Sequence, residues 1–318
     1  MIVEHISSCF TGYTKGFSLC RNMLSFYMPF FFFRAGLFSS NTKVKNVFRK
    51  NVKRYLIPYV VWGIITFLIV IVCQVYEGSI SLHSLILKPL KDTYILGSFL
   101  TEGPTWFLLT LLVVKIIGTY VVGVQEGGAN AKKQSTPNIF AYTIAICCVS
   151  LAYAIHKLNN PYIPQIIANT CTGLFFYLSG VMMKDDFNNS GVATVAIMAY
   201  AVSYFLPCPD VAMHWNMLLR GKYLLWFPTC VFGILTFIYL FEKMSRYYKF
   251  PILNWAGVNS LYLMVAHWPL CIFLHRLVLK DILGFSNPRL EFWICTSICG
   301  ILLYAFFPLY QKLKYKGE

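Results

Sequence analysis

Two histidines and one arginine occupy positions from which their side chains could do chemistry. His5 lies in the opening stretch MIVEHISSCF, Arg34 in the aromatic stretch MPFFFFRAGLF, and His267 in the apolar stretch LYLMVAHWPL. A histidine takes a proton from a hydroxyl near neutral pH, and an arginine binds a phosphate or stabilises a developing oxyanion. We therefore predict catalytic roles for all three residues, with His5 as the general base.

A basic stretch follows Arg34 and supplies the second group of candidates. If it is helical, Lys50 and Lys53 are three residues apart and Arg49 and Lys53 are four apart, so these side chains could clamp one phosphate group. We predict that Arg49, Lys50, Lys53 and Arg54 bind a phosphorylated donor. The alternative is a segment that sets membrane orientation and attracts anionic lipid. The six cations of residues 41–54 are Lys43, Lys45, Arg49, Lys50, Lys53 and Arg54.

Glu102 and Trp106 flank the short sequence Gly103-Pro104-Thr105 and are predicted to bind an acceptor substrate. An indole ring at the entrance of a membrane span could stack on a sugar, although anchoring at the membrane interface is the other common use of tryptophan there. Glu102 has an alternative role as the ion-pair partner of Arg34.

Composition indicates that membrane-spanning helices position these residues. The chain of 318 residues is 58% hydrophobic and 12% charged, whereas soluble domains are about 25% charged. Many apolar runs reach the roughly 18–20 residues that a helix needs to cross the hydrocarbon. These runs are too long and too continuous for the alternating strands of a barrel. The predicted fold is an all-α, polytopic transmembrane bundle that forms a single domain over residues 1–318.

The apolar runs predict nine spans preceded by residues 1–10, which look like the end of a helix whose beginning is absent. The chain is therefore expected to be truncated in its first helix. Backbone groups within lipid must be paired inside the chain, which is why each run is expected to be helical. The nine spans are predicted at 24–40, 55–76, 104–124, 138–155, 166–183, 191–207, 223–241, 257–279 and 289–310.

Three ionisable residues, Arg34, Lys115 and His267, fall inside these predicted spans. Each costs about 2.5–3.5 kcal/mol at mid-membrane on insertion scales, so each is expected to face the bundle interior or a wet cavity. Lys115 could instead extend its amine to the interface or lie in a misplaced span, and His267 could be a hydrogen-bonded core histidine. Pro269 is expected to break the helix locally beside His267. His5 could simply lie at the membrane interface.

The distribution of lysine and arginine predicts the orientation. With residues 41–54 in the cytoplasm, the cytoplasmic segments hold fifteen of these residues and the opposite side holds ten. Because cytoplasmic loops carry the excess of positive charge, the C-terminus is predicted to be cytoplasmic, in a cell inner or plasma membrane.

The formal charge of +15 is therefore attributed to membrane topology and lipid contact, and no nucleic-acid partner is predicted. The eleven cysteines lie mostly in apolar spans without metal-ligand spacing, so no metal is expected and the thiols are interpreted as small buried hydrophobic groups.

Four stretches, in order along nearly the whole chain, resemble the integral-membrane acyltransferase 3 family. MPFFFFRAGLF at 28–38 is similar to the second-helix motif of that family, and RKNVKRYLIPYVVW at 49–62 is similar to its basic loop and the Leu-Ile-Pro-Tyr that follows. PTWFLLTLL at 104–112 resembles its Leu-Trp-Phe-Leu element. NWAGVNSLYLMVAHWPL at 254–270 resembles its late Ser-Leu and His-Pro signature.

The resemblance implies about ten helices and O-acyl transfer, usually acetyl, from cytoplasmic acyl-CoA. It makes acetyl-CoA the expected donor and a cell-surface glycan or lipid-linked sugar the expected acceptor. VEHI at 3–6 resembles the end of the first-helix motif, which makes His5 the histidine of the family's catalytic pair, and the basic partner would precede Met1. Lys50 and Lys53 occupy both positions of an Arg-x-x-Arg motif, and Arg34 stands where the family often has an aliphatic residue.

Two other functions stay open from the sequence alone. Mid-membrane charges also mark substrate paths, so the chain could export a polysaccharide or a small molecule. The missing half of the first helix is compatible with a non-catalytic remnant of the family. Inverted repeats would favour transport, and none is visible.

Overall fold

The computed structural model describes residues 26–39, 44–101, 103–126, 139–158, 162–187, 189–205, 223–282, 284 and 288–315. The described chain forms eleven helices and contains no strand, so the all-α prediction is confirmed. The helices are α1 (Tyr27–Leu37), α2 (Val44–Asn51, Val52–Leu56 and Ile57–Tyr76 in succession), α3 (His83–Leu87, Lys88–Lys91 and Asp92–Leu96), α4 (Trp106–Glu126), α5 (Ile139–Leu158), α6 (Gln165–Met182), α7 (Ser190–Phe205), α8 (Tyr223–Tyr247), α9 (Pro251–Val258), α10 (Ser260–Ile272, then Phe273–Ile282) and α11 (Pro288–Tyr315).

The prediction of nine full spans is not confirmed. Two helices in the described chain are long and apolar enough to cross a membrane, Phe48–Tyr76 and Leu225–Tyr247, and the bent pair α9–α10 makes a third if it counts as one span. Helix α1 has 11 residues and therefore covers about 16 Å, roughly half of a hydrocarbon core. Four further apolar helical segments of 10–17 residues lie within α4, α5, α7 and α11, namely Trp106–Val122, Phe140–Ile155, Ser190–Ser203 and Trp293–Pro308.

Helices α1, α4 and α6 form the centre of the bundle. Gly36 of α1 lies against the backbone of Tyr177, and Gly180 of α6 lies against the backbone of Phe33, so closely that a Cβ on either glycine would collide with a carbonyl oxygen. A third glycine of α6, Gly173, meets the Phe32 ring. Gly173 meets Phe32 near the start of this contact, and Lys184 reaches the Ser39 carbonyl beyond the ends of both helices, so α1 and α6 run parallel and in near-backbone contact.

Helix α2 contains a π-helical turn at Val52–Leu56, immediately before Pro58. A proline has no N–H to donate, and its ring crowds the carbonyl four residues earlier, here that of Arg54. The wider turn accommodates this crowding and lets one helix continue from Val44 to Tyr76.

The connection between α2 and α4 contains a further helix, α3. It ends at Gly97, whose positive φ of 72° suits a residue without a side chain. The turn that follows is held by the Ser98 hydroxyl, which donates to the Gly103 carbonyl at 2.8 Å. This turn positions the start of α4.

Helices α9, α10 and α11 form a second apolar cluster. The helix breaks at Asn259, where α9 and α10 meet at 83°, and α10 then runs through Pro269 without interruption. The predicted break beside His267 is therefore wrong in position, because the disruption precedes the proline by three turns and α10 loosens into a π-helix only from Phe273. Of the eight cysteines in the described chain, six are buried, as predicted.

Candidate functional site: the basic end of the bundle

The basic residues of α2 share one exposed side of a continuous helix. Arg49, Lys50, Lys53 and Arg54 are all exposed. The sequence placed this stretch in a loop before the span at 55–76, whereas the structure makes it helical from Val44 and continuous with that span. The role of the four cations as a donor site stays a prediction. The opposite side of the same helix is buried against α4, with Asn51, Tyr55 and Tyr59 each only 5% exposed.

Lys115 of α4 reaches this basic group from the neighbouring helix. Its Nζ lies 3.5 Å from the Tyr55 hydroxyl oxygen and 5.6 Å from the centre of the Tyr55 ring. The Arg54 guanidinium also lies 5.6 Å from that centre. Tyr55 therefore has a cation from each of two helices against its ring.

The C-terminal ends of α1 and α6 lie at the same end of the bundle. Lys184, just beyond α6, donates a hydrogen bond to the Ser39 carbonyl at 3.1 Å. Tyr177 makes hydrogen bonds with Ser39 and with Thr119, one turn beyond Lys115 on α4. We call this region, where α1 and α6 end and α2 begins, the basic end.

Arg34 is separate from the group of cations on α2. Its side chain is exposed, with the guanidinium 5.7 Å from the centre of the Phe38 ring. It lines a cavity of about 520 Å³ between α1 and α8, whose other walls are almost entirely aromatic or aliphatic, Phe30, Phe237 and Phe241 among them. The proposed ion pair with Glu102 lies outside the described residues.

His267 is fully buried in α10. Its Nδ1 lies 2.8 Å from the Leu263 carbonyl oxygen, and since a carbonyl only accepts, Nδ1 carries the hydrogen. Tyr262 of α10 packs edge-on against Trp62 of α2, which is already two turns past Arg54, and His267 lies further along. The structure therefore does not bring His267 to the cations of α2.

Trp106 opens α4 at the end of the bundle away from the basic end. It is 6% exposed, so its ring is packed among protein atoms. The turn before it is covered from α10, because the Trp268 indole lies directly against Gly103, where a Cβ would meet the ring at 2.8 Å. A role of Trp106 in acceptor binding stays a prediction, and His5 and Glu102 lie outside the described residues.

A comparison with known protein families decides the class of this protein. The model of the acyltransferase 3 family, described as an acyltransferase domain, matches residues 4–308. The chain belongs to the acyltransferase 3 family. No curated protein and no solved structure matches it.

Membership in the acyltransferase 3 family indicates acyl transfer in general and a typical association with membranes. The long apolar helices of this chain agree with that association. The four motif stretches that suggested the family from sequence all lie within the matched residues, so the resemblance is confirmed.

Sequence reasoning did not include Lys115 and Tyr55 among the site residues of this family member. Lys115 was noted only as a charge inside a predicted span, and Tyr55 only as part of the motif after the basic loop. The packing of α2 on α4 brings Tyr55 and Lys115 together although they are 60 positions apart in the sequence. No group of three or more possible metal ligands occurs in the part of the chain that the structure describes.

Proposed function

We propose that this protein is an O-acyltransferase that moves an acyl group, most simply acetyl, from acyl-CoA to a hydroxyl of a cell-surface glycan or lipid-linked sugar. The observation that carries the proposal is the exposed basic face of α2 in a member of the acyltransferase 3 family. A cluster of cations at the start of a membrane-crossing helix suits a donor that is anionic at one end and apolar or neutral at the other.

The chemistry of the four cations fits coenzyme A. That donor carries a diphosphate and a separate phosphomonoester, and arginine and lysine are the side chains that bind such groups by charge-assisted hydrogen bonds. Arg49, Lys50, Lys53 and Arg54 present their charges from two successive turns of one helix. This spacing lets neighbouring side chains contact different phosphate groups of one molecule.

The direction of α2 gives the donor an orientation. Its cations precede Pro58, and the apolar segment Ile57–Tyr76 continues into the bundle. The phosphates would stay at the wet basic end while the thioester points along the bundle. The excess of positive charge in the loops on this side supports a cytoplasmic location for the basic end.

The transfer itself needs a general base and a carbonyl activated for attack. In the proposed reaction, His5 takes the proton of the acceptor hydroxyl, the alkoxide oxygen forms a bond to the thioester carbonyl carbon, and the carbon–sulfur bond breaks. The coenzyme A thiolate leaves and takes up the proton. The role of His5 rests on its match to the family's first-helix motif, and Arg34, His267, Trp106 and Glu102 stay candidates for oxyanion and acceptor contacts.

A transfer assay tests this function. The purified chain in lipid nanodiscs is incubated with acetyl-labelled acetyl-CoA and a panel of glycans and lipid-linked sugars, and ester-linked label on the acceptor is measured. We expect transfer by the wild type, loss of transfer in His5→Gln, and retention in the matched control His83→Gln, whose histidine is exposed on α3. No transfer by the wild type to any acceptor would overturn the proposal.

A further inference from the structure

Lys115 is a charged residue within an otherwise apolar part of α4. It is half-buried on α4, between the fully buried Val114 and the half-buried Ile116. A partly desolvated ammonium group costs free energy unless it is paired and hydrogen-bonded. Its two described contacts are the hydroxyl and the ring of Tyr55, and neither carries a negative charge.

The charges closest to Lys115 make that cost larger. Arg54, whose guanidinium lies 5.6 Å from the centre of the same Tyr55 ring, and Lys50, one turn before Arg54 on α2, are both positive. Among the side chains that the structure describes, no carboxylate forms an ion pair with Lys115, Lys50 or Arg54. Lys115 and Arg54 therefore meet at the Tyr55 ring from two packed helices, with Lys50 one turn before Arg54, and the described part of the chain supplies no counter-charge.

Tyr55 adds a hydrogen-bond donor at the same place. Its hydroxyl oxygen accepts from the Lys115 amine, which leaves the hydroxyl hydrogen for another acceptor. Its ring holds the two flanking cations in position through contacts with the electron-rich face. The arrangement offers several charged N–H donors and one O–H donor to a single anion.

We propose that Lys115 of α4 completes, with Lys50 and Arg54 of α2, a phosphate-binding site around Tyr55. A phosphate group matches the site because it brings one to two negative charges and several acceptor oxygens, enough to contact all four donors at once. The inference rests on the proposed function in one respect only, that the phosphate belongs to the donor. It extends that function by adding a lysine from a second helix, so that a bound phosphate links α2 to α4.

Direct binding of two anions tests the site separately from the reaction. Inorganic pyrophosphate and coenzyme A are each titrated by calorimetry into the purified chain in nanodiscs of neutral phosphatidylcholine. We expect both to bind, and we expect Lys115→Met to weaken both by about tenfold or more, the usual effect of losing one charge-assisted hydrogen bond. Lys115→Arg keeps the charge and is expected to restore most of the affinity.

The matched control is Lys243→Met. Lys243 also lies over a tyrosine ring, 5.4 Å from the centre of Tyr239, but it is exposed on a single helix, α8. We expect this variant to bind both anions as the wild type does. Tyr55→Phe keeps the ring and removes the hydroxyl, so it is expected to weaken binding by a smaller factor without loss of fold.

The outcomes distinguish the proposed phosphate site at Lys115 from the proposed donor, acyl-CoA. If pyrophosphate binds in a Lys115-dependent way and coenzyme A does not, the phosphate site stands and the proposed donor is wrong. If both bind and Lys115→Met and Lys115→Arg bind as the wild type does, the site is overturned while the donor stands. If neither anion binds to the wild type, the site is overturned.

A repeat in nanodiscs with anionic phosphatidylglycerol distinguishes the source of the phosphate. A free donor is expected to keep a Lys115-dependent affinity there. If the anionic lipid removes pyrophosphate binding in the wild type and this competition is absent in Lys115→Met, the same site holds a lipid headgroup instead.

Discussion

Arg276 donates two hydrogen bonds to the Glu77 carboxylate, from Nε at 3.0 Å and from Nη2 at 2.5 Å, across 199 residues of sequence. Glu77 directly follows the last residue of α2, and Arg276 lies in the π-helical part of α10. The Glu77 side chain is 26% exposed and the Arg276 side chain is 35% exposed. The pair therefore fastens the C-terminal end of α2 to the bent pair α9–α10.

Breaking this pair is expected to cost about 1 kcal/mol, because a bidentate arginine–carboxylate contact is strong but solvent still screens it. Glu77→Gln and Arg276→Gln are each compared with the double variant by thermal unfolding in detergent. A double-mutant cycle should return a favourable coupling energy that shrinks at high salt. Additive effects of the two substitutions would contradict a direct interaction.

The close contact of α1 with α6 leads to a second prediction. Gly36→Ala and Gly180→Ala each place a methyl group on a backbone carbonyl of the partner helix, where no side chain can move aside. We expect each variant to lose about 1–3 kcal/mol of unfolding free energy, the usual cost of overpacking, measured by thermal unfolding.

Gly257 and Gly300 supply matched controls, because a Cβ at either position meets no atom within 4 Å. Both lie in helices, where alanine is favoured over glycine by up to about 1 kcal/mol. Their alanine variants should therefore unfold at the wild-type temperature or above it. Equal losses at all four glycines would show that the α1–α6 contact is not the cause.

The sequence was sufficient to predict the helical class and the location of most helices, because long apolar runs carry that information locally. The predicted run at 55–76 became the core of α2, and the run at 223–241 became most of α8. The bend of 83° at Asn259 was not predicted, because the predicted span at 257–279 passes through that residue as one continuous apolar run. The predicted span at 24–40 is longer than helix α1, which begins at Tyr27 and ends at Leu37.

The sequence predicted the grouping of the four cations of α2, but it did not predict which residues of other helices lie beside them. Arg49, Lys50, Lys53 and Arg54 are close in sequence, so helical spacing places them together. Lys115 joins them through the packing of α2 on α4, and His267 stays away from them because α10 meets α2 two turns beyond Arg54. Such distances between helices do not follow from composition or from periodicity.

A substitution series at His267 distinguishes a catalytic from a structural histidine. His267→Phe removes the hydrogen bond from Nδ1 to the Leu263 carbonyl, which should cost about 0.5–1.5 kcal/mol because that carbonyl keeps its helical N–H partner within α10. His267→Asn keeps a donor near the Nδ1 position and should recover part of that stability. We expect transfer activity to follow stability in the two variants.

If His267 acts in the chemistry, the two variants would behave differently. Both would then lose kcat to a similar extent, even where His267→Asn remains as stable as the wild type. Comparing kcat at a temperature well below the unfolding transition of each variant makes this distinction.

The cations of α2 give the last prediction, on the affinity for the donor. Lys50→Gln combined with Lys53→Gln removes two positive charges from the exposed face of α2 and leaves the buried Asn51 and Tyr55 unchanged. If these lysines contact donor phosphates in the ground state and the transition state alike, KM for acetyl-CoA should rise about tenfold or more while kcat changes little. Added salt should raise the wild-type KM and have less effect on the double variant, because fewer charges remain to be screened.

The control for this series is Lys249→Gln, which removes an exposed cation between α8 and α9. It should leave KM for acetyl-CoA at the wild-type value, since it lies outside the basic face of α2. A similar rise in KM for Lys249→Gln would mean that the overall positive charge attracts the donor. A fall in kcat at constant KM would instead place Lys50 and Lys53 at the transition state, with no role in holding the bound donor.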